Sequence, residues 1–300
     1  MPSHHGITDT PNEHTYSNQT IETLIERASC RSYTDDAIPP ETLELVLEAG
    51  VRAATGGNLQ PTSIIQIENQ ETKDWLAEEC GQSFIGEAPV LLTFCIDWWR
   101  GKRWAELEVA PFSATSSFRH FWISFQDTII CAQSICTAAD ALGLGSCYIG
   151  TIIDMVPALC ERLELPESVF PVVLLTLGVP KRPPKVRLKL DPAVLVHKER
   201  YQKLDDKALL AAYESKYPGY RVELSEERLA QVQEVCRQVH GSEFAEQCVQ
   251  KMRENGYISA VQRYFGLHYR ANLMPQGNDE YLALMRKRGF EWFEPWAPVE

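Results

Sequence analysis

The 300-residue sequence predicts a fold of mixed α and β structure. Three observations carry this reading. In several stretches apolar residues recur every three or four positions, the spacing of a helix with one buried face. Other apolar runs are strand-length and stop at Gly, Pro or Asn. The two kinds of segment alternate along the chain.

Residues 1–17 are rich in His, Ser, Thr, Asn and Pro and read as a disordered arm. The first helix starts near Thr20 and carries Ile21, Leu24, Ile25 and Ala28 on one face. Pro39-Pro40 then opens a second helix over 41–54, with Leu43, Val46, Leu47 and Val51 expected inward. Strands are expected at 62–68 and 90–96, with a short helix near 71–80 between them. Trp98, Trp99 and Trp104 fall in what reads as a loop after the second strand. They suit either the floor of a substrate pocket or an interface contact.

Residues 116–142 read as one long helix. Phe118, Trp122, Phe125, Ile129, Ala132, Cys136 and Ala139 form a stripe, and Phe121, Ile130, Ile135 and Leu142 put apolar groups on other faces. A helix apolar on most sides is expected in a core or a subunit interface. It stops at Gly143-Leu144-Gly145. A short segment at 147–150, a helix to about 163 and a strand at 172–177 follow, ending in Gly178-Val179-Pro180. Beyond Arg187 the pattern changes. Residues 199–216 and 223–256 read as charged amphipathic helices, with Leu229, Val232, Val235 and Val239 as one stripe. The expected division is an arm at 1–17, a main domain at 18–220 and a helical C-terminal extension at 221–300.

Composition narrows the function classes. The chain is 44% hydrophobic, enough for a core, and its net charge is −12. That balance argues against a nucleic-acid binder or a polyanionic-membrane binder, which need a basic face. An anionic ligand must be held by a local cluster of Lys and Arg. The nine cysteines show no CxxC pairing and no zinc spacing, so reduced, buried thiols in a cytoplasmic protein are expected. The first twenty residues hold no apolar signal-peptide core, and the longest apolar runs are too short to span a bilayer.

Five clusters carry chemistry. The stretch 52–61 ends a helix and turns through Thr55-Gly56-Gly57-Asn58-Leu59-Gln60 into a strand. Glycines there admit unusual backbone angles and close approach of N–H groups to a ligand. The same tripeptide also makes an ordinary turn. Arg27-Ala28-Ser29-Cys30-Arg31 offers two guanidiniums and a hydroxyl to one phosphate. Those arginines equally suit a helix C-terminus. Lys185 and Arg187 share one side of an extended segment, as a phosphate clamp or a solvated loop. Gly143–Thr151 (GLGSCYIGT) is a second backbone-rich loop, and Cys80-Gly81-Gln82-Ser83 a polar turn. No Rossmann fingerprint, Walker motif, nucleophile elbow, zincin motif or EF-hand loop is present.

Taken in order, these motifs resemble the FMN-dependent nitroreductase family. The resemblance runs through the basic Ser-containing segment after helix one, AATGGNLQP, GLGSCYIG, LGVP and the basic pair. It is nearest the NADPH-dependent subgroup of oxygen-insensitive nitroreductases and flavin reductases, and covers about 20–220 plus 279–291. It implies an α+β fold: a central, mainly antiparallel sheet surrounded by helices, with the long helix at a homodimer interface. It makes 18–220 the FMN-binding domain.

Residue by residue, the resemblance puts Arg27, Ser29, Arg31, Lys185 and Arg187 around the FMN phosphate and ribityl chain. Thr55, Gly57 and Gln60 match the loop near the ring. Gln82 meets the ring edge, and Tyr148, Ile149, Gly150 and Thr151 line its other side. Ala28 departs from the family, where a second basic residue or His is common. Residues 222–276 look like an insertion, with Arg221 and Arg228 as candidates for a 2′-phosphate.

The implied activity is ping-pong hydride transfer from NADPH or NADH through FMN to nitroaromatic, quinone or flavin acceptors. No side chain is required as a catalytic acid. Small molecules and a second copy of the chain are the expected partners, with no nucleic acid and no membrane. The rival readings are a dedicated enone reductase, dehydrogenase or dehalogenase on the same scaffold, and a flavin carrier or sensor. Cys30 is expected to be a packed, inert thiol and His120 a satisfied polar group.

Overall fold

A computed structural model describes residues 18–298, so the arm expected at 1–17 lies outside the described residues. The chain divides into two units. One holds the described residues up to Val186 together with those from Asp279 onward; the other is Arg187–Asn278.

The first unit is built on a four-stranded antiparallel sheet. Its strands are β1 (Thr62–Ile67), β2 (Val90–Asp97), β3 (Gly145–Ile149) and β4 (Val169–Gly178), in the order β1-β2-β4-β3. Every residue of β2 is buried, as its unbroken apolar run requires of a strand covered on both faces. β1, on the edge, is mostly half-buried. The β2–β4 register shifts between Phe94 and Cys95, where Pro171 stands opposite Cys95. Proline has no N–H to donate, and a bulge absorbs the break in the ladder.

Seven helices precede or interleave the strands: α1 (Gln19–Glu26), α2 (Pro40–Val51), α3 (Gln70–Glu79), α4 (Phe84–Glu87), α5 (Trp99–Leu107), α6 (Phe118–Ala141) and α7 (Val156–Arg162). The main core lies between α2, α6 and the sheet, through Leu43, Val46, Leu92, Phe94, Ile135 and Leu175. The architecture is the expected α+β one: an antiparallel sheet with helices around it.

Three expectations need correction. The segment after β2 is helix α5, not a loop. It is nine residues long and buries none of them, with Trp99, Trp104 and Leu107 exposed. Val51, expected inward, is 56% exposed, as are the α1 residues Ile21, Leu24 and Ile25 at about half their surface. In α6 the buried face of the first half is polar, formed by Ser124, Asp127 and Thr128. Phe118, Trp122, Phe125 and Ile130 point outward instead.

The second unit contains α8 (Pro192–Leu195), α9 (Asp206–Lys216), α10 (Glu226–His240), α11 (Ser242–Asn255) and α12 (Ala260–Arg263). The segment read as continuous from 223 to 256 breaks at Gly241, whose φ of +88° favours glycine. α10 and α11 pack on each other around Leu229, Val232, Met252 and Ile258. A bridge between Val222 and Ile258 closes the unit's small core. Finally α13 (Asn278–Lys287) leads back to the first unit, where Met285 and Phe290 fill a third cluster with Phe170 and Cys160.

Two glycines hold the chain's start against the sheet. A Cβ on Gly145 would sit 2.5 Å from Cys30 Cβ, and one on Gly178 would sit 2.6 Å from Pro89 and 2.7 Å from Tyr33. Gly145→Ala is expected to cost about 1–3 kcal/mol, the usual range for overpacking a core. The shift of the urea-unfolding midpoint reads it; an unchanged midpoint would show that the close approach is not needed.

Candidate functional site

The segment after α1 is pinned along the ends of β3 and β4. The Cys30 N–H donates to the Ser146 carbonyl (2.9 Å), the Thr34 N–H to Val179 (2.8 Å) and the Lys181 N–H to Ser32 (3.1 Å). Tyr33 is fully buried; its hydroxyl donates to the Cys30 carbonyl (2.9 Å) and lies 2.6 Å from Thr176 Oγ1. Burial holds the Tyr33 hydroxyl protonated, pushing it far above the usual phenol range. This pinning brings Arg27, Ser29 and Arg31 to the first residues of β3. The Cys147 thiol of β3 is buried, and burial raises it against the opposing charges of Arg31 and Arg27.

The three basic-segment residues differ in their freedom. Arg31 is exposed and Ser29 half-buried. Arg27 turns inward: its Nη2 donates to Ser146 Oγ at 3.4 Å and its Nε stands 3.6 Å from Asp140 Oδ2. Burial pushes the Asp140 carboxyl up to about 6, with Arg27 acting against the rise. Cys30 is buried, as expected, with its thiol on the Ser32 carbonyl.

The Thr55–Gln60 loop has a left-handed backbone at three positions, Gly57 (φ +61°), Asn58 (+57°) and Gln60 (+50°). Such angles favour glycine and are tolerated by asparagine. The loop is held from two sides. The Gly56 N–H donates to both carboxylate oxygens of Asp127 in α6, each at 3.1 Å. Burial raises the Asp127 carboxyl and that N–H opposes the rise. Arg100 of α5 donates to the carbonyls of Gln60 (3.0 Å) and Thr62 (2.7 Å) while paired to the buried Asp97 at 3.1 Å. Thr55 and Gln60 line a cavity of about 440 Å³ with Val51, Ser63, Gln66 and Arg100.

Two predicted residues far apart in sequence meet directly: Gln82 Nε2 donates to Thr151 Oγ1 at 3.0 Å. Gly150 and Thr151 are exposed, so this edge faces solvent. Tyr148 is half-buried with its hydroxyl 3.5 Å from Gln133 Oε1. Ile149 is packed in the core with Cys30 and Tyr33 and is only 1% exposed, so it offers a ligand almost no open surface. Lys185 and Arg187 are both exposed in the segment beyond β4. Arg221 is engaged by Glu214 and lies over the Tyr257 ring, and Arg228 donates to the Glu223 carbonyl.

Asp97, Arg100, Asp127 and Asp140 escaped the sequence reading. One signal was available: Asp127 and Asp140 are the only acids in the 24-residue helix α6. Buried acids need partners: Asp127 takes the Gly56 N–H, and the half-buried Asp140 pairs with Arg27 without a hydrogen bond to its Oδ2. The donor set suits a phosphate-bearing aromatic cofactor. Cation and hydroxyl cluster at the start of β3, and an amide–hydroxyl edge lies beyond its end.

The Asp140 shift has a signed consequence. Its folded value lies near 6 against an ordinary 3.8, so the native state binds this proton more tightly than the unfolded chain. Its contribution to stability is full below the ordinary value and is lost as pH rises through about 6. The melting temperature of the wild type minus that of Asp140→Asn is therefore expected to fall across that window and level off above it. A difference flat in pH would show that Asp140 is ionised throughout.

The nitroreductase family pattern matches residues 24–179. The oxygen-insensitive NADPH nitroreductase of Salmonella typhimurium is 32% identical over 202 residues, 67% of this chain and 82% of that protein. The FMN reductase [NAD(P)H] of Bacillus subtilis is 32% identical over 206 residues, 68% and 83% of the two chains. The structure of B. megaterium NfrA2 aligns with a TM-score of 0.68 at 28% identity, covering 92% of this chain and 99% of that one. The fold, the motif order and these likenesses agree: the chain belongs to the nitroreductase family and is an oxidoreductase.

Proposed function

We propose that this chain is an FMN-dependent NAD(P)H oxidoreductase. It works by ping-pong hydride transfer to nitroaromatic, quinone or flavin acceptors. The observation that carries the reading is the arrangement at the two ends of β3. At the start sits the segment of Arg27, Ser29 and Arg31; just past the end, Gln82 meets Thr151. Five strand residues at about 3.3 Å each separate the ends by roughly 16 Å, a span suited to a ring and a phosphate joined by a ribityl chain. The names of the Salmonella and Bacillus relatives, an NADPH nitroreductase and an FMN reductase, support the donor and the cofactor.

The chemistry supplied by bound FMN is two-electron transfer between a nicotinamide and an acceptor. The chain's residues bind and orient. Arg31, Lys185 and Arg187 would neutralise the phosphate, Ser29 would offer it a hydroxyl, and Arg27 would stand behind them on Asp140. Gln82 and Thr151 would offer an amide and a hydroxyl to the ring edge, with Tyr148 and Gly150 beside the ring and the buried Ile149 behind them. Thr55, Gly57 and Gln60 form the loop beside the ring, held rigid by Asp127 and Arg100. Donors fixed before the reaction stabilise charge without reorganising.

A homodimer belongs to the same proposal. Ile21, Leu24 and Ile25 of α1 and Phe118, Trp122, Phe125 and Ile130 of α6 are exposed apolar side chains on helices that pack together. Such a surface is what a second copy of the chain covers. Elution as a monomer with flavin retained would contradict it.

The visible spectrum of the purified protein tests the function, taken before and after anaerobic addition of NADPH. A flavin band that bleaches is expected. A colourless protein that takes up no added FMN would overturn the proposal. Arg31→Ala is expected to weaken FMN binding by about 1.5–3 kcal/mol, the loss of one charged hydrogen bond. Lys185→Ala with Arg187→Ala is expected to weaken it further. Unchanged retention in both variants would refute the phosphate assignment while leaving the activity intact.

A further inference from the structure

The second unit holds a pair of thiols that the flavin chemistry does not use. Cys236 lies in α10 and Cys248 in α11, helices joined only by Gly241 and packed along each other. Both side chains pack on the cluster of Leu229, Val232, Met252 and Ile258, and Gln262 Nε2 stands 3.9 Å from Cys248 Sγ. Both line a cavity of about 560 Å³, whose rim includes Val239, Phe244, Val261 and Phe265, each at least 42% exposed. A small molecule in solvent therefore has a route to either sulfur. The other cysteines are placed differently. Cys30, Cys95, Cys131, Cys136, Cys147 and Cys160 are buried in the first unit, and Cys80 faces Met155 Sδ at 3.9 Å.

We propose that Cys236 and Cys248 are a modification site: they form an intramolecular disulfide with a small-molecule disulfide such as oxidised glutathione as the oxidant. One cysteine sulfur attacks the glutathione S–S bond, gives a mixed disulfide and releases one glutathione thiol. The second cysteine then displaces the remaining glutathione, forming the Cys236–Cys248 bond. Two protons leave the protein thiols and are taken up by the two glutathione thiolates. The protein pair is oxidised and glutathione disulfide is reduced, so electrons balance.

Two physical features shape this reaction. Packing already holds α10 and α11 against each other with both cysteines on one cluster, so closing the bond requires little further loss of chain freedom. Burial and the neighbouring Cys248 hold the Cys236 thiol well above the ordinary thiol range. A thiol with little thiolate attacks slowly, and once bonded it is a poor leaving group. The disulfide is thus expected to form slowly and persist, stapling α10 to α11 across the turn at Gly241.

The test uses the full-length, flavin-loaded protein and oxidised glutathione. After incubation, free thiols are alkylated and the protein is digested with trypsin without reductant. Cleavage after Arg228, Arg237 and Lys251 gives peptides 229–237 and 238–251, each carrying one of the two cysteines. The expected product is these two peptides joined, lighter by two hydrogens than their sum, together with a higher melting temperature that reductant reverses. Cys236→Ser and Cys248→Ser should each abolish the joined species. Recovery of both peptides alkylated would overturn the proposal. So would a stable glutathione adduct on either cysteine with no cross-link, or linkage of either one to a different cysteine.

Discussion

The rest of the site depends on one close approach: the chain from Cys30 to Tyr33 lying against the ends of β3 and β4. Gly145 and Gly178 permit it because no Cβ stands in the way. Tyr33 then locks it, with two hydroxyl contacts inside the core, the donated one contributing about 1 kcal/mol beyond the burial of the ring. Without this seam, Arg27, Ser29 and Arg31 would end α1 in solvent as an ordinary basic helix terminus. With it, they stand beside the strand that leads to Thr151. The fold thus converts a sequence separation of over a hundred residues into one local cluster.

Helix α6 supplies the second constraint. A 24-residue helix with aromatic groups on several sides would ordinarily bury them and expose its acids. Here the sheet-facing side carries Ser124, Asp127 and Thr128 in its first half, and Cys131, Ile135 and Ala139 in its second. The polar half is satisfied from within. Thr128 bonds the Ser124 carbonyl and Ser124 the His120 carbonyl, while Asp127 takes the Gly56 N–H. A buried carboxylate left alone would be costly, so the Gly56 turn and Asp127 require each other. The outward aromatics then make sense as a face for another surface rather than as core.

Much of the fold was legible in the sequence. The apolar run at 90–96 announced a strand, and Pro39-Pro40 announced α2. What stayed hidden has a physical reason in each case. α5 is nine residues long and leaves Trp99, Trp104 and Leu107 exposed, so no buried stripe marks it. The outward turn of Trp122 cannot be inferred from a helix apolar all round, because periodicity selects a face only when one side is polar. Of the candidate site, the sequence offered the motifs that hold Gln82, Thr151 and the Gly56-Gly57 turn, and the structure brings Gln82 to Thr151. Its supports were not. Asp97, Arg100 and Asp127 act by contacts to distant backbone groups, and such contacts leave no local pattern in a single sequence.

Charge placement carries the argument one step further. The chain as a whole is strongly acidic, at −12, so an anionic cofactor meets a repulsive background and relies on nearby cations. Arg27 is already drawn toward Asp140, and Ala28, buried, leaves a position with no charge at all. The cations left exposed are Arg31 at the start of β3 and Lys185 and Arg187 in the segment after β4. Asp140 sharpens this division. With its carboxyl value near 6, it holds a negative charge beside Arg27 at neutral pH and loses it in mild acid. Arg27 is consequently a partly neutralised cation at neutral pH, set against the seam by Ser146 and Asp140.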